Sequence, residues 1–313
     1  MTHVQKNHLG RLRATLRKTY RQRYLFVMLL PCVAVTFIFS YLPVKGLYMA
    51  FVDYIPGIPL EASKWAGLKY FKMFFNSSDF FMVLKNTLAL NFLQLFFGPV
   101  CAISLAVILS EIRMPRYKKF VQTASYLPYF ISWVIAASII KALLSVDKGV
   151  VNSALLGLGL IDKNVPFLTK SAYFWPIVTV AQLWKSFGWD SILYLAVIAS
   201  ISREMYEAAQ IDGCSRLQKV WYIILPCLLP TMVILMVMNS GWILNGFDPY
   251  YLLSNPATRE AAEVIDTYVF RYGLQKMNYS YATAVGLMKS AVGLSMVITV
   301  NQIGRRLSDF ELL

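Results

Sequence analysis

Residues 203–213 read Arg-Glu-Met-Tyr-Glu-Ala-Ala-Gln-Ile-Asp-Gly and lie between two apolar stretches. These residue types suit docking rather than covalent chemistry. Glu207 offers a charged contact, Ala208 and Ala209 let another surface come close, and Asp212-Gly213 suits a helix stop. Groups for bond-making chemistry are sparse elsewhere. The two histidines, His3 and His8, lie in a basic N-terminal stretch. Cys32, Cys101, Cys214 and Cys227 are scattered without a C-x-x-C pair, and no two carboxylates pair at one depth of the apolar body. This excludes most histidine-based catalysis and gives no metal-ligand set or disulfide framework. A phosphate-cradling G-x-x-x-x-G-K-[ST] is absent, so the chain is expected to bind no ATP, magnesium or other cofactor itself.

The elements that must position these residues are apolar. Of 313 residues, 58% are hydrophobic and 15% charged, with mean hydropathy +0.54. Soluble domains carry about 25% charged residues, so lipid is part of the solvent. Six stretches are long enough to cross roughly 30 Å of hydrocarbon: 24–41, 87–110, 120–140, 172–201, 220–247 and 281–304. They predict an all-α, six-helix membrane domain over 24–304, a basic N-terminal tail over 1–23 and a C-terminal tail over 305–313. With both tails inside, the inner segments hold 16 Lys/Arg in 59 residues and the outer ones 12 in 109. That asymmetry matches the positive-inside rule and accounts for the net charge of +14 without nucleic acid. The expected location is a cell membrane, crossed several times, with both termini and the loop 202–219 in the cytoplasm. The N-terminal stretch has no A-x-A-like cleavage site and reads as a retained first span.

Within that loop, Ser202 is a candidate N-cap and Glu204 an acid in the first turn. Gly213 suits a left-handed stop, and Ser215 with Gln218 fits a capping box. The pattern predicts helix, glycine elbow, helix. Met205, Ala208, Ala209 and Asp212 should share one face. A helix this short needs something to hold it, a partner or its own membrane domain.

Glu207-Ala208-Ala209-x-x-Asp212-Gly213, followed by Ile223-x-Leu225-Pro226 and Pro230, resembles the EAA loop of ABC importer permeases. The flanks "WKSFGWDSILYLAVIASI" and "GFDPYYLLSNP…VIDTYVFRYGL…YSYATAVGLMKS" resemble carbohydrate-uptake permeases, most nearly the LplB-type subgroup for polysaccharide-derived oligosaccharides. The resemblance spans about residues 20–313; Cys214 departs from it, standing where the loop usually has alanine. It implies a type I importer fold whose coupling helix, Glu207, Ala208, Ala209, Asp212 and Gly213, docks on an ATPase. It further implies a homologous second permease, two ATPase copies carrying ATP and magnesium, and an extracytoplasmic solute-binding (lipo)protein. The chain itself would be a bacterial transport subunit and not an enzyme. Alternatives are a permease for peptides or phosphate esters and, more remotely, an intramembrane enzyme.

Polar and aromatic residues recur at helical spacing on three spans: Gln182, Lys185, Ser186 and Trp189; Asn239, Trp242 and Asn245; Tyr126, Tyr129, Phe130 and Trp133. Sugars present apolar C–H faces and hydroxyl edges, so flat rings beside amides or charges suit them. With Trp184, Asp190 and Lys289 these are the candidate pathway residues; interfacial belts and interhelical hydrogen bonds are the other account of such stripes. Charges inside a span are costly. Lys185 and Asp190 lie about 140° apart around a helix and do not easily pair with each other. Lys185 shares a face with Trp189. Two cations on a pathway, Lys185 and Lys289, would suit an acidic sugar such as a uronate; pairing with Asp190 or backbone carbonyls is the simpler account. Segment 248–274 reads as an outward cap able to dock a binding protein. Its second E-A-A, in Arg259–Glu263, lacks Asp-Gly and is assigned no coupling role.

Overall fold

The structure, a computed structural model, describes residues 22–242 and 244–307, without the side chains of 242, 306 and 307. The tails expected over 1–21 and 308–313 lie outside the described residues.

In chain order the helices are α1 (Arg23–Thr36), α2 (Lys69–Phe75), α3 (Phe80–Glu111), α4 (Pro115–Phe130), α5 (Trp133–Leu143), α6 (Val150–Gly157) and α7 (Ser171–Ser200). They continue with α8 (Arg203–Ile211), α9 (Arg216–Lys219), α10 (Leu225–Trp242), α11 (Asp248–Leu253), α12 (Arg259–Ala262), α13 (Ile265–Phe270) and α14 (Tyr279–Leu307). Strands β1 (Val52–Asp53) and β2 (Lys64–Trp65) pair antiparallel into a short ribbon.

Four helical stretches among the described residues are long and apolar enough to cross a membrane: Arg23–Phe51, Phe80–Glu111, Arg216–Gly241 and Tyr279–Arg305. The pair α4 and α5 adds a fifth if counted as one span. Helix α7 has the length, 30 residues, but Gln182, Lys185, Ser186 and Asp190 dilute its apolar character and it falls outside that set.

Three boundaries differ from the sequence expectation. The span expected at 120–140 is broken: α4 ends at Phe130, Ser132 accepts a hydrogen bond from the Ile135 N–H as N-cap of α5, and the two helices bend by 105°. Pro128 stands three residues ahead of Ile131, whose backbone is extended. Helix α3 begins seven residues before the expected Thr87. Its polar start is satisfied from afar: the Asn86 amide donates to the Glu260 and Glu263 carbonyls at 2.7 and 3.1 Å, and the Thr87 hydroxyl accepts the Ile265 N–H at 3.0 Å. Finally, α10 stops at Trp242, and residues expected to continue it to 247 lead into α11 instead.

Helices α3 and α7 pack along their length and run in the same direction. At the ribbon end, Leu90 of α3 meets Phe174, Val178 and Ala181 of α7, together with Tyr250, Leu253, Ala262 and Val264. At the opposite end, Ala102 and Ala106 meet Tyr194 and Ile198, joined by Ile224 and Leu228. The small side chain at 188 allows α4 to cross α7 closely, since a Cβ there would collide with the Ser125 carbonyl. The 248–274 segment is not a loose cap. It folds into α11, α12 and α13, which insert buried side chains into the ribbon-end core. The Tyr268 and Tyr281 hydroxyls meet at 2.8 Å in that core, and the Ser280 hydroxyl donates to the Val52 carbonyl at 2.6 Å.

Candidate functional site

Two regions gather the residues singled out above. The first is α8, at the end of the bundle opposite the ribbon. Ser202 occupies the N-cap position, yet its side chain makes no capping bond. Glu204 lies in the first turn. The helix ends at Ile211, and Gly213 takes φ +73°, the left-handed conformation its lack of Cβ permits. Beyond the elbow, the Gln218 N–H donates to the Ser215 hydroxyl at 3.3 Å and the Ser215 N–H to Gln218 Oε1 at 2.7 Å, the expected capping box.

The face of α8 differs from the expectation. Tyr206 and Ala209, three apart, turn inward: Ala209 is buried and Tyr206 packs on the Ala102–Ile198 cluster. Burial there pushes the Tyr206 phenol above its ordinary pKa. Ala208 and Ala209 therefore do not share one docking face. The outward face carries Met205, Glu207, Ala208, Ile211 and Asp212, all exposed. Ile211 is 87% exposed, and Leu217, Trp221 and Tyr222 continue the apolar surface at 72%, 66% and 77%.

The second region lies between α3, α7 and α10. A cavity of about 570 Å³ is lined by Gln94, Ser186, Trp189, Asp190 and Asn239 among apolar side chains. Gln94 Oε1 is buried without a hydrogen-bond partner, so the cavity wall keeps an unused acceptor. Sequence reasoning misses Gln94 because it stands alone in an apolar run; its spacing to Gly98 and Pro99, both lining residues, is the available signal.

The other pathway candidates divide. Trp189 stacks on Tyr129, with centroids 4.6 Å apart and planes 7° from parallel, and Phe130 meets it edge-on. The Lys185 ammonium donates to the Tyr129 carbonyl at 2.7 Å and lies 5.7 Å from the Trp133 ring centre. Gln182 stands beside the phenol of buried Tyr250. Trp184 is separate from these: it lines a wholly apolar groove of about 460 Å³ with Ile140, Leu143 and Phe167. Lys289 is not an open pathway cation, and its partner is not Asp190. Its ammonium is held by Asp266 at 2.5 Å and Asn245 Oδ1 at 2.7 Å, at the junction of α13 and α14. The Trp242 side chain lies outside the described residues.

With this geometry in place, comparison with known proteins decides the family. Residues 94–309 match the family model described as "Binding-protein-dependent transport system inner membrane component". The chain belongs to this family. Among these permeases it is 41% identical to the polygalacturonan/rhamnogalacturonan transport system permease YteP of Bacillus subtilis, over 93% of this chain and 91% of that protein. It is 39% identical to LplB of the same organism, over 91% and 90%. A chain in the crystal structure of a bacterial ABC transporter involved in import of the acidic polysaccharide alginate superposes with TM-score 0.85 at 42% identity, covering 94% of this chain and 99% of that one. A second alginate transporter structure, in complex with an alginate pentasaccharide-bound periplasmic protein, gives TM-score 0.85 at 41% identity, covering 95% and 99%. The chain is thus an ABC importer permease of the type I fold, a membrane transport component rather than a catalytic one.

Proposed function

We propose that this permease carries oligosaccharides released from acidic polysaccharides across a bacterial cell membrane, driven by ATP hydrolysed on separate subunits. The observation that carries the reading is the outward face of α8: an exposed, left-hand-terminated helix with Glu207, Ala208, Ile211 and Asp212 free for a partner. A chain without an ATP-binding loop needs such a lever to receive work. On this reading α8 is the coupling helix, seated on one of two ATPase copies that bind ATP and magnesium. Six helices span the bilayer, α7 among them, with both termini and the 202–219 loop cytoplasmic. A homologous second permease completes the pathway, and an extracytoplasmic binding (lipo)protein delivers substrate to the ribbon end.

The cavity bounded by Gln94, Ser186, Asp190 and Asn239 supplies amide, hydroxyl and carboxylate groups for sugar hydroxyls, and Trp189 a ring for a C–H face. Support for the sugar class comes from the relatives, whose names cite polygalacturonan, rhamnogalacturonan and alginate. The test is uptake into liposomes holding the complete transporter with its binding protein. Oligogalacturonate should enter only with ATP and binding protein present. Entry of a peptide with exclusion of every oligosaccharide offered would overturn the reading.

A further inference from the structure

Resting on that oligosaccharide reading, we infer that Lys185, with Tyr129, Trp133 and Trp189, forms a subsite that reads the carboxylate of an acidic sugar ring. The inference starts from an uncompensated charge. Lys185 sits near the middle of α7, a 30-residue helix, where a cation is costly in hydrocarbon. Among the described residues no carboxylate oxygen lies within 4.0 Å of its ammonium, whereas Lys289, Arg259 and Arg271 each have one. Its hydrogen-bond partners are carbonyls, those of Tyr129 at 2.7 Å and Pro128 at 3.5 Å. They belong to the C-terminal end of α4, where the break before α5 leaves carbonyls open and the helix dipole favours a cation. Carbonyl dipoles hold an ammonium in place but leave its full charge unmatched, and an ammonium has three N–H donors.

The surroundings are those a uronate needs. The Lys185 ammonium lies 5.5 Å from the Tyr129 ring centre and 5.7 Å from that of Trp133. Tyr129 stacks on Trp189, and these two rings are 40% and 41% exposed, so each keeps an open surface. A pyranose C–H face laid on either ring puts a ring carboxylate toward the ammonium, in a charge-assisted hydrogen bond. Trp189 also lines the cavity that holds Gln94, Asp190 and Asn239, so the subsite adjoins the cavity through that ring. Asp190 lies on another side of α7, where its charge suits hydroxyl donors. Carboxylate and hydroxyl edges of one sugar chain are thus read by different faces of one helix. A neutral sugar leaves the Lys185 charge unmatched.

The experiment uses the complete transporter in liposomes and two probes, trigalacturonate and its methyl-esterified form. Lys185→Gln keeps a donor for the Tyr129 carbonyl but loses the charge; Lys185→Arg keeps the charge. Trigalacturonate uptake is expected to fall roughly 10- to 100-fold in Lys185→Gln and to stay within about threefold in Lys185→Arg. Ester uptake should be equal in all three proteins. Because the binding protein can itself refuse the ester, trigalacturonate binding to the detergent-purified complex without it is measured in parallel; salt-sensitive binding should disappear in Lys185→Gln alone. Wild-type uptake of trigalacturonate by Lys185→Gln overturns the subsite. So does an equal loss of acid and ester, or binding unaltered by the substitution, because Lys185 then only caps α4. A wild-type transporter that imports neither oligomer overturns the oligosaccharide reading instead.

Discussion

The chain contains the tripeptide Glu-Ala-Ala twice, and the two copies meet opposite fates. In α12 the sequence Arg259-Glu260-Ala261-Ala262-Glu263 packs inward. Ala262 is 2% exposed, and Glu263 accepts from Arg271 Nε at 2.6 Å and Arg259 Nε at 3.3 Å. In α8 the sequence Glu207-Ala208-Ala209 turns its acid and first alanine outward and buries only the second. The difference lies in the flanks. Arg259 and Glu263, four apart, close a charge network with Arg271 and Asp79 that ties α12 to the ribbon-end core. Asp212-Gly213 instead ends α8 with nothing above it; a Cβ built on Gly213 meets no atom within 4 Å. A tripeptide therefore states little by itself. Its immediate C-terminal neighbours decide whether it serves as core or as surface.

Substitutions in matched pairs break or sharpen this contrast. Glu263→Ala leaves two arginines facing a vacated buried site and should cost about 3–5 kcal/mol in denaturant unfolding of the purified protein. Ala262→Leu, overfilling the ribbon-end core, should cost about 1–3 kcal/mol in the same measurement. Its counterpart Ala208→Leu should change stability by less than about 0.5 kcal/mol while weakening recovery of ATPase subunits in pull-down. Gly213→Ala should cost roughly 1 kcal/mol, since the strain of φ +73° is purely backbone and no clash adds to it. Ser215→Ala, which deletes half of the capping box, should cost about 1 kcal/mol or less.

Features set by neighbours a few residues apart are legible in the sequence. The glycine elbow at 213 and the Ser215–Gln218 box come from local geometry, as does the helical reading of 259–262. Features set by distant partners are not. The start of α3 is hidden because Asn86 and Thr87 look like a polar boundary until carbonyls and an N–H from 260–265 satisfy them. Lys289 resembles a pathway cation because Asp266, 23 residues away, shares no helix with it. The break at 131–132 is readable in part from Pro128 and Ser132, but the apolar run through 133–140 masks it. For α8, the i, i+3 pair Tyr206 and Ala209 competes with Met205, Ala208 and Asp212. Only packing against Ile198 and Ala102 settles which side faces in.

The central claim is that α8, and not its twin, transmits work from the ATPases. The direct measurement is the ATPase rate of the complete transporter, with and without substrate-loaded binding protein, in Glu207→Ala and Glu260→Ala. Both acids are exposed and precede paired alanines, so both variants should fold. Glu207→Ala is expected to lose stimulation and uptake, and Glu260→Ala to keep the stimulated rate of the wild type. A Glu207→Ala complex that retains both ATPase copies, full stimulation and full uptake would contradict the account.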